Sequence, residues 1–118
     1  SHLIYVIFCK ILTNSPKQRW TLVLDNNETA EFYLYYLIRN QAWYFDIDYK
    51  NFSAKCLKCV LTPNSLRSFR RILPFGIAFI SDDVLDPYQI DDFSSGRVKM
   101  YTLNKDEVEN VEKEIYYA

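Results

Sequence analysis

The chain has 118 residues with 14 basic and 15 acidic side chains, and its formal net charge is −1. This length predicts one domain with a buried core, and the near-zero charge argues against a general attraction to nucleic acid or anionic lipid. We interpret Ser1 and His2 as a cloning remnant, so the expected domain is residues 3–118. Without His2 the chain has no histidine, which removes the commonest general base and metal ligand.

Three cysteines occur, and an odd, small number predicts no disulfide framework and a reducing compartment. The apolar run at residues 3–12 is shorter than the roughly 20 residues that span a bilayer. It also lacks the basic leader and cleavage site of a signal peptide. We therefore predict that this run is the first strand. The second predicted strand, residues 19–24, alternates apolar and polar positions and ends in a polar turn at Asp25.

A central hairpin at residues 31–49 is the strongest structural prediction. Its first strand carries large side chains on both faces, with Phe32, Leu34, Tyr36 and Ile38 on one and Tyr33, Tyr35 and Leu37 on the other. In its second strand Trp43, Phe45, Ile47 and Tyr49 alternate with Tyr44, Asp46 and Asp48. This period of 2 predicts two strands joined at the polar residues 39–41. Because both faces are apolar, we expect a partner chain to cover one of them.

The rest of the chain adds shorter predicted elements. After a polar connection at residues 50–54 come a strand at 55–61, one or two helical turns at 66–72, and a buried strand at 75–80. An acidic loop at residues 81–96 is long for a compact domain, and such loops are usually functional or mobile.

The last predicted elements are a strand at residues 97–103 and a closing helix. Asn104 and Glu107 form its expected capping box, and Val108, Val111 and Ile115 its apolar stripe. The expected fold is therefore mainly β: an antiparallel β-sandwich or small β-barrel of about seven strands with a short C-terminal helix.

Neither of two carboxylate or thiol motifs predicts catalysis or a metal site. Cys56 and Cys59 form a C-x-x-C spacing but have no second pair, and on a strand they point to opposite faces, so we interpret them as structural. Asp46 and Asp48 share a strand face, yet no general acid accompanies them. The sequence thus predicts no enzyme, metal or cofactor.

Two charged segments have competing interpretations. The aspartates of the acidic loop match no EF-hand, so a solvated or partner-facing loop is favoured over a cation site. Arg67, Arg70 and Arg71 resemble a small nucleic-acid patch, but the whole-chain charge favours a solvated face or an ion pair with the acidic loop.

Six motifs, in this order, resemble the small plug-like proteins of contractile phage tail baseplates. They are I-L-T-N-S-P-K-Q-R-W at 11–20, R-N-Q-A-W-Y-F-D-I at 39–47, L-T-P-N-S-L at 61–66, L-P-F-G at 73–76, D-P-Y-Q-I-D-D-F at 86–93 and R-V-K-M-Y-T-L at 97–103. The resemblance implies a β-rich, non-catalytic structural protein of a phage or prophage, located in the virion and assembled in the host cytoplasm. It also implies hub and spike proteins as partners; a homo-oligomer stays open, and neither membrane nor nucleic acid is expected.

The predicted interface follows from the hairpin and the charged segments. Its aromatic anchors are Tyr33, Tyr35, Tyr44 and Tyr88, and its polar rim is Arg67, Arg70, Arg71, Asp86 and Asp91. The alternative is an OB-like barrel that binds a small ligand or single-stranded nucleic acid in an aromatic and basic groove.

Overall fold

The structure, a computed structural model, describes residues 7–8 and 17–117. Within these residues lie seven strands: β1 Ile7–Phe8, β2 Lys17–Val23, β3 Thr29–Leu37, β4 Ala42–Tyr49, β5 Phe52–Lys58, β6 Gly76–Ser81 and β7 Val98–Leu103. The fold also contains a 3₁₀ turn at Arg67–Phe69 and a helix α1 at Lys105–Val111. Of the predicted first strand, all but Ile7 and Phe8 lies outside the described residues.

The strands form two antiparallel sheets. One has the order β2-β3-β4-β5, and the other has β1-β7-β6. Their facing sides share one core that includes Phe32, Trp43, Phe45, Phe79 and Met100. The fold is thus the predicted β-sandwich. The barrel alternative is wrong, because no strand ladder among the described residues closes the two sheets into a ring.

The β3–β4 hairpin has the predicted alternation. Phe32 opposes Ile47 and Leu34 opposes Phe45, and all four side chains are fully buried. Each such burial contributes about 1.5–3 kcal/mol to folding before entropy is counted. The turn needs no glycine because Gln41 adopts a left-handed conformation, with φ 48°.

The connection after β4 differs from the prediction. Tyr49 pairs directly with Phe52, so the expected polar connection at residues 50–54 is a two-residue turn in which Lys50 has φ 51°. Strand β5 therefore starts earlier than predicted. A tertiary contact explains the early start, since the Phe52 ring packs on Phe69 with ring centroids 5.0 Å apart.

Helix α1 begins at the predicted capping box. The Asn104 side chain accepts a hydrogen bond from the Glu107 N–H at 2.8 Å, and Glu107 accepts one from the Asn104 N–H at 2.7 Å. A π-helical turn at Glu112–Tyr116 follows. This turn changes the number of residues per helical turn, so Ile115 does not continue the face of Val108. Ile115 is exposed, and its predicted place in the apolar stripe is wrong. No described helix has the length and apolar character to cross a membrane.

Candidate functional site

Three tyrosines form a contiguous aromatic surface on the outer side of the four-stranded sheet. Tyr33 and Tyr35 have ring centroids 5.1 Å apart, and Tyr35 and Tyr44 are stacked at 6.2 Å. They lie together because residues two apart on a strand share a face and Tyr35 opposes Tyr44 across the ladder. We call Tyr33, Tyr35 and Tyr44 the tyrosine face; all three are partly exposed.

Basic side chains flank the tyrosine face. The Arg19 guanidinium lies 4.7 Å from the centroid of the Tyr33 ring, and Lys58 opposes Tyr44 on the neighbouring strand. Farther along the same side of the sheet, Glu31 opposes Asp48. The tyrosine face is therefore basic at its edges, although the carboxylate of Asp46, which opposes Tyr33, lies among the tyrosines.

The Asp46 carboxylate accepts hydrogen bonds that fix one side chain of the tyrosine face. Its Oδ1 accepts hydrogen bonds from the Tyr35 hydroxyl at 2.9 Å and the Cys56 N–H at 2.8 Å. Cys56 has φ 60° and lies in a β-bulge opposite Asp46, where the register shifts between Phe45 and Ile47. Burial and the hydrogen bond to Asp46 raise the pKa of Tyr35. Asp46 thus holds a bulge and a tyrosine in place.

The acidic loop is organised by one arginine that follows it. Arg97 donates to both oxygens of Asp92 at 2.8 Å, from Nε to Oδ1 and from Nη2 to Oδ2. It also donates to Asp83 Oδ1 at 2.7 Å and to the carbonyls of Leu85 at 3.0 Å and Asp86 at 3.2 Å. A single guanidinium therefore connects both ends of the loop.

Asp92 is the centre of this arrangement, although its side chain is completely buried. Besides Arg97, the backbone N–H groups of Tyr88 and Gln89 donate to its Oδ2 at 2.6 and 2.7 Å. Burial acts to raise the pKa of Asp92, but the hydrogen bonds from Arg97, Gln89 and Tyr88 outweigh it, and the pKa lies below its usual value. Sequence reasoning missed this pair; the only local signal is an arginine five residues after an aspartate, across the Ser-Ser-Gly turn.

Side chains of strands β3 and β4 hold the acidic loop against the sandwich. The Tyr36 hydroxyl donates to the Tyr88 carbonyl at 2.8 Å, and the Trp43 indole donates to the Gln89 carbonyl at 2.8 Å. Phe93 packs edge-on against Trp43 with ring centroids 5.1 Å apart. The loop is therefore an ordered part of the fold.

The acidic loop exposes several apolar side chains, which we call its apolar tip, and aspartates that lie next to them in sequence. Its exposed apolar side chains include Val84, the most exposed at 91%, together with Leu85, Tyr88 and Ile90. Asp82 and Asp91 are exposed beside them, whereas the Asp86 carboxylate accepts a hydrogen bond from the Leu61 N–H at 2.9 Å.

The basic segment contacts the C-terminal helix. Arg67 Nε lies 2.7 Å and Arg70 Nε 3.3 Å from the Glu112 carboxylate, and the Arg67 guanidinium stacks 3.8 Å from the Tyr116 ring centroid. The expected ion pair with the acidic loop is therefore wrong for these two arginines. Arg71 is exposed.

The predicted interface residues thus lie in three places. The structure brings Tyr33, Tyr35 and Tyr44 together. Tyr88 lies elsewhere, because its backbone contacts Tyr36, which points to the inner side of the sheet. Asp86 and Asp91 lie with Tyr88 on the acidic loop. Arg67 and Arg70 contact Glu112 after the C-terminal helix, and Arg71 is exposed on the same basic segment.

The two described cysteines are free and differently placed. Cys56 is exposed and Cys59 is buried, and burial raises the pKa of the Cys59 thiol. Within residues 7–8 and 17–117, no group of three or more His, Cys, Asp or Glu side chains is arranged to hold a metal ion.

Comparison with known proteins identifies the family. The family model of the cyanophage baseplate Pam3 plug gp18 matches residues 9–105, a range that includes the tyrosine face, the acidic loop and Arg97. No curated protein matches the chain in sequence. A family match over most of the chain agrees with the resemblance of the six motifs, and the chain belongs to the family of the baseplate plug gp18, whose members are structural components of the phage tail baseplate.

Proposed function

We propose that this chain is a non-catalytic structural protein of a contractile-tail phage or prophage, assembled in the host cytoplasm with hub and spike proteins. The tyrosine face is its main contact surface. The observation that carries the proposal is this aromatic surface, partly exposed among the described residues on the outer side of a sheet whose inner side already supplies the core. Aromatic clusters of this kind are typical of the centres of protein interfaces.

The geometry suits rigid docking. Tyr33 and Tyr35 each have few rotatable bonds, and the hydrogen bond to Asp46 fixes the Tyr35 ring before a partner arrives. Little side-chain entropy is therefore lost on binding. Arg19 and Lys58 at the edge favour a partner with acidic groups around an apolar surface.

The test is binding to purified hub and spike proteins from the same gene cluster. We expect a stoichiometric complex with the wild type. The double variant Tyr33→Ser/Tyr35→Ser should stay folded and lose at least about 2 kcal/mol of binding free energy, as truncated aromatic anchors do. The matched control is Tyr117→Ser, which removes a tyrosine that is 69% exposed at the other end of the chain. Normal assembly of the double variant would remove the tyrosine face from the interface.

A second candidate function has one specific observation in its favour. Tyrosines flanked by Arg19 and Lys58 resemble a stacking platform for single-stranded nucleic acid. Asp46, Asp48 and Glu31 on the same side of the sheet oppose it. Salt-dependent binding of a single-stranded oligonucleotide, abolished by Tyr33→Ser/Tyr35→Ser, would favour this candidate over baseplate assembly.

A further inference from the structure

We propose that the acidic loop is a second, preformed docking surface, which binds a different baseplate protein from the one on the tyrosine face. Its occupant is a protein surface with an apolar pocket edged by Lys or Arg. This inference rests on the proposed function, because it names a second partner within the same assembly.

The tip of the loop exposes more apolar surface than folding requires. Val84 is 91% exposed, Leu85 is 50% exposed, and Tyr88 and Ile90 are each 42% exposed. The core under the loop is already filled by Phe93, which packs against Trp43 and Phe79. Adjacent exposed apolar side chains of this size commonly mark an interaction site.

The loop is preorganised for binding. Its connections to Arg97, Tyr36 and Trp43 hold Tyr88 and Gln89 in place. An unsupported loop of this length would lose much conformational entropy when a partner ordered it, and this loop has already lost it on folding.

The charge of the loop specifies the chemistry of the occupant. Residues 81–96 contain five aspartates and no Lys or Arg. Arg97 engages only two of these carboxylates, those of Asp83 and Asp92. Asp82 and Asp91 remain exposed beside the apolar tip, so basic side chains on the partner complement the surface and speed association.

The same electrostatic argument separates the two partners. The tyrosine face has Arg19 and Lys58 at its edges, and these edges complement acidic groups on a partner. The acidic loop complements a basic one. The two surfaces therefore need partner surfaces of opposite charge, and the proposal assigns these to two different proteins.

The experiment measures the affinity of each tail protein encoded beside this chain, purified singly, for a set of variants. Val84→Ser/Leu85→Ser truncates the two most exposed side chains of the apolar tip, and Asp82→Asn/Asp91→Asn removes two exposed charges without changing a residue that binds Arg97. Matched controls are Ile72→Ser, which truncates a side chain that is 61% exposed elsewhere, and Glu109→Gln/Glu114→Gln. The NMR signal of the Trp43 indole N–H, which donates to Gln89, reports whether the loop stays anchored.

We expect the Val84→Ser/Leu85→Ser variant to lose at least about tenfold in affinity for one tail protein. It should bind within about twofold of wild type to the protein that Tyr33→Ser/Tyr35→Ser no longer binds. The loop-dependent affinity should fall between about 50 mM and about 500 mM salt, and Asp82→Asn/Asp91→Asn should flatten that dependence. Both control variants should bind as wild type does.

Every other outcome overturns a specific part of the proposal. If Val84→Ser/Leu85→Ser binds every tail protein with wild-type affinity, the acidic loop is not a docking surface. The proposed function still stands in that case if Tyr33→Ser/Tyr35→Ser loses affinity for a tail protein. If the loop variant and the tyrosine variant both lose affinity for the same single protein, the two-partner inference is overturned. If the wild type self-associates and the loop variant does not, a second copy of this chain occupies the loop surface, and the two-partner inference is overturned as well. Binding of no tail protein by the wild type overturns the proposed function itself.

Discussion

Replacing Arg97 by Met tests whether the ion pair with Asp92 organises the acidic loop. The variant keeps an apolar stem of similar length but leaves the fully buried Asp92 carboxylate without its cation. Removing one partner of a buried pair usually costs about 3–5 kcal/mol. The Arg97 side chain is 18% exposed, and the Tyr88 and Gln89 N–H groups still bind Asp92, so we expect about 2–3 kcal/mol here.

Urea unfolding followed by tryptophan fluorescence measures this loss. At an m-value of about 1–3 kcal/mol per molar urea, the midpoint should fall by roughly 0.7–3 M. Arg71→Met is the matched control, because Arg71 is exposed, and its effect should stay within about 0.5 kcal/mol. The double variant Asp92→Asn/Arg97→Met should regain part of the loss, since no buried charge remains. A loss below about 1 kcal/mol for Arg97→Met would refute the reasoning.

Three further predictions concern pH, glycine and capping. The pKa of Asp92 is lowered in the folded protein, so its stabilising contribution is complete above the unfolded pKa of about 3.9 and is lost as pH falls through the lower folded pKa. Acid titration of the Trp43 indole signal should therefore show the loop detaching only below about pH 4, and detachment near pH 6 would contradict this assignment. Gly76→Ala places a Cβ 2.6 Å from Asn64 Oδ1 and should cost about 1–3 kcal/mol in thermal unfolding; an unchanged melting temperature would mean that Asn64 can move away. Asn104→Ala should cost about 1 kcal/mol through the lost cap of α1, whereas Asn104→Ser should be nearly neutral in the same melt.

The short-range features of the fold could be predicted from sequence. The alternation of Phe32 and Leu34 with Tyr33 and Tyr35 predicted both faces of β3, and Asn104 with Glu107 predicted the start of α1. These predictions succeeded because strand alternation and helix capping depend on neighbours within a few residues. The cluster of Tyr33 with Tyr35 follows from the same rule.

Predictions that needed a distant partner were less successful. The basic segment was expected either to be a solvated face or to pair with the acidic loop, but Arg67 and Arg70 contact Glu112. Both loop and helix offered carboxylates, and composition alone does not say which one lies closer. The early start of β5 likewise depends on the contact between Phe52 and Phe69, which lie on different elements.

The sequence by itself determined a mainly β chain, the central hairpin with large side chains on both faces, the capped C-terminal helix and, through its motifs, the baseplate family. Only the tertiary structure decided that the predicted interface residues occupy three surfaces and that Asp92 is buried against Arg97. The physical reason is that local periodicity sets the direction of a side chain, whereas its partner depends on the path of the whole chain. A buried carboxylate and an exposed one therefore look alike until the fold shows what surrounds them.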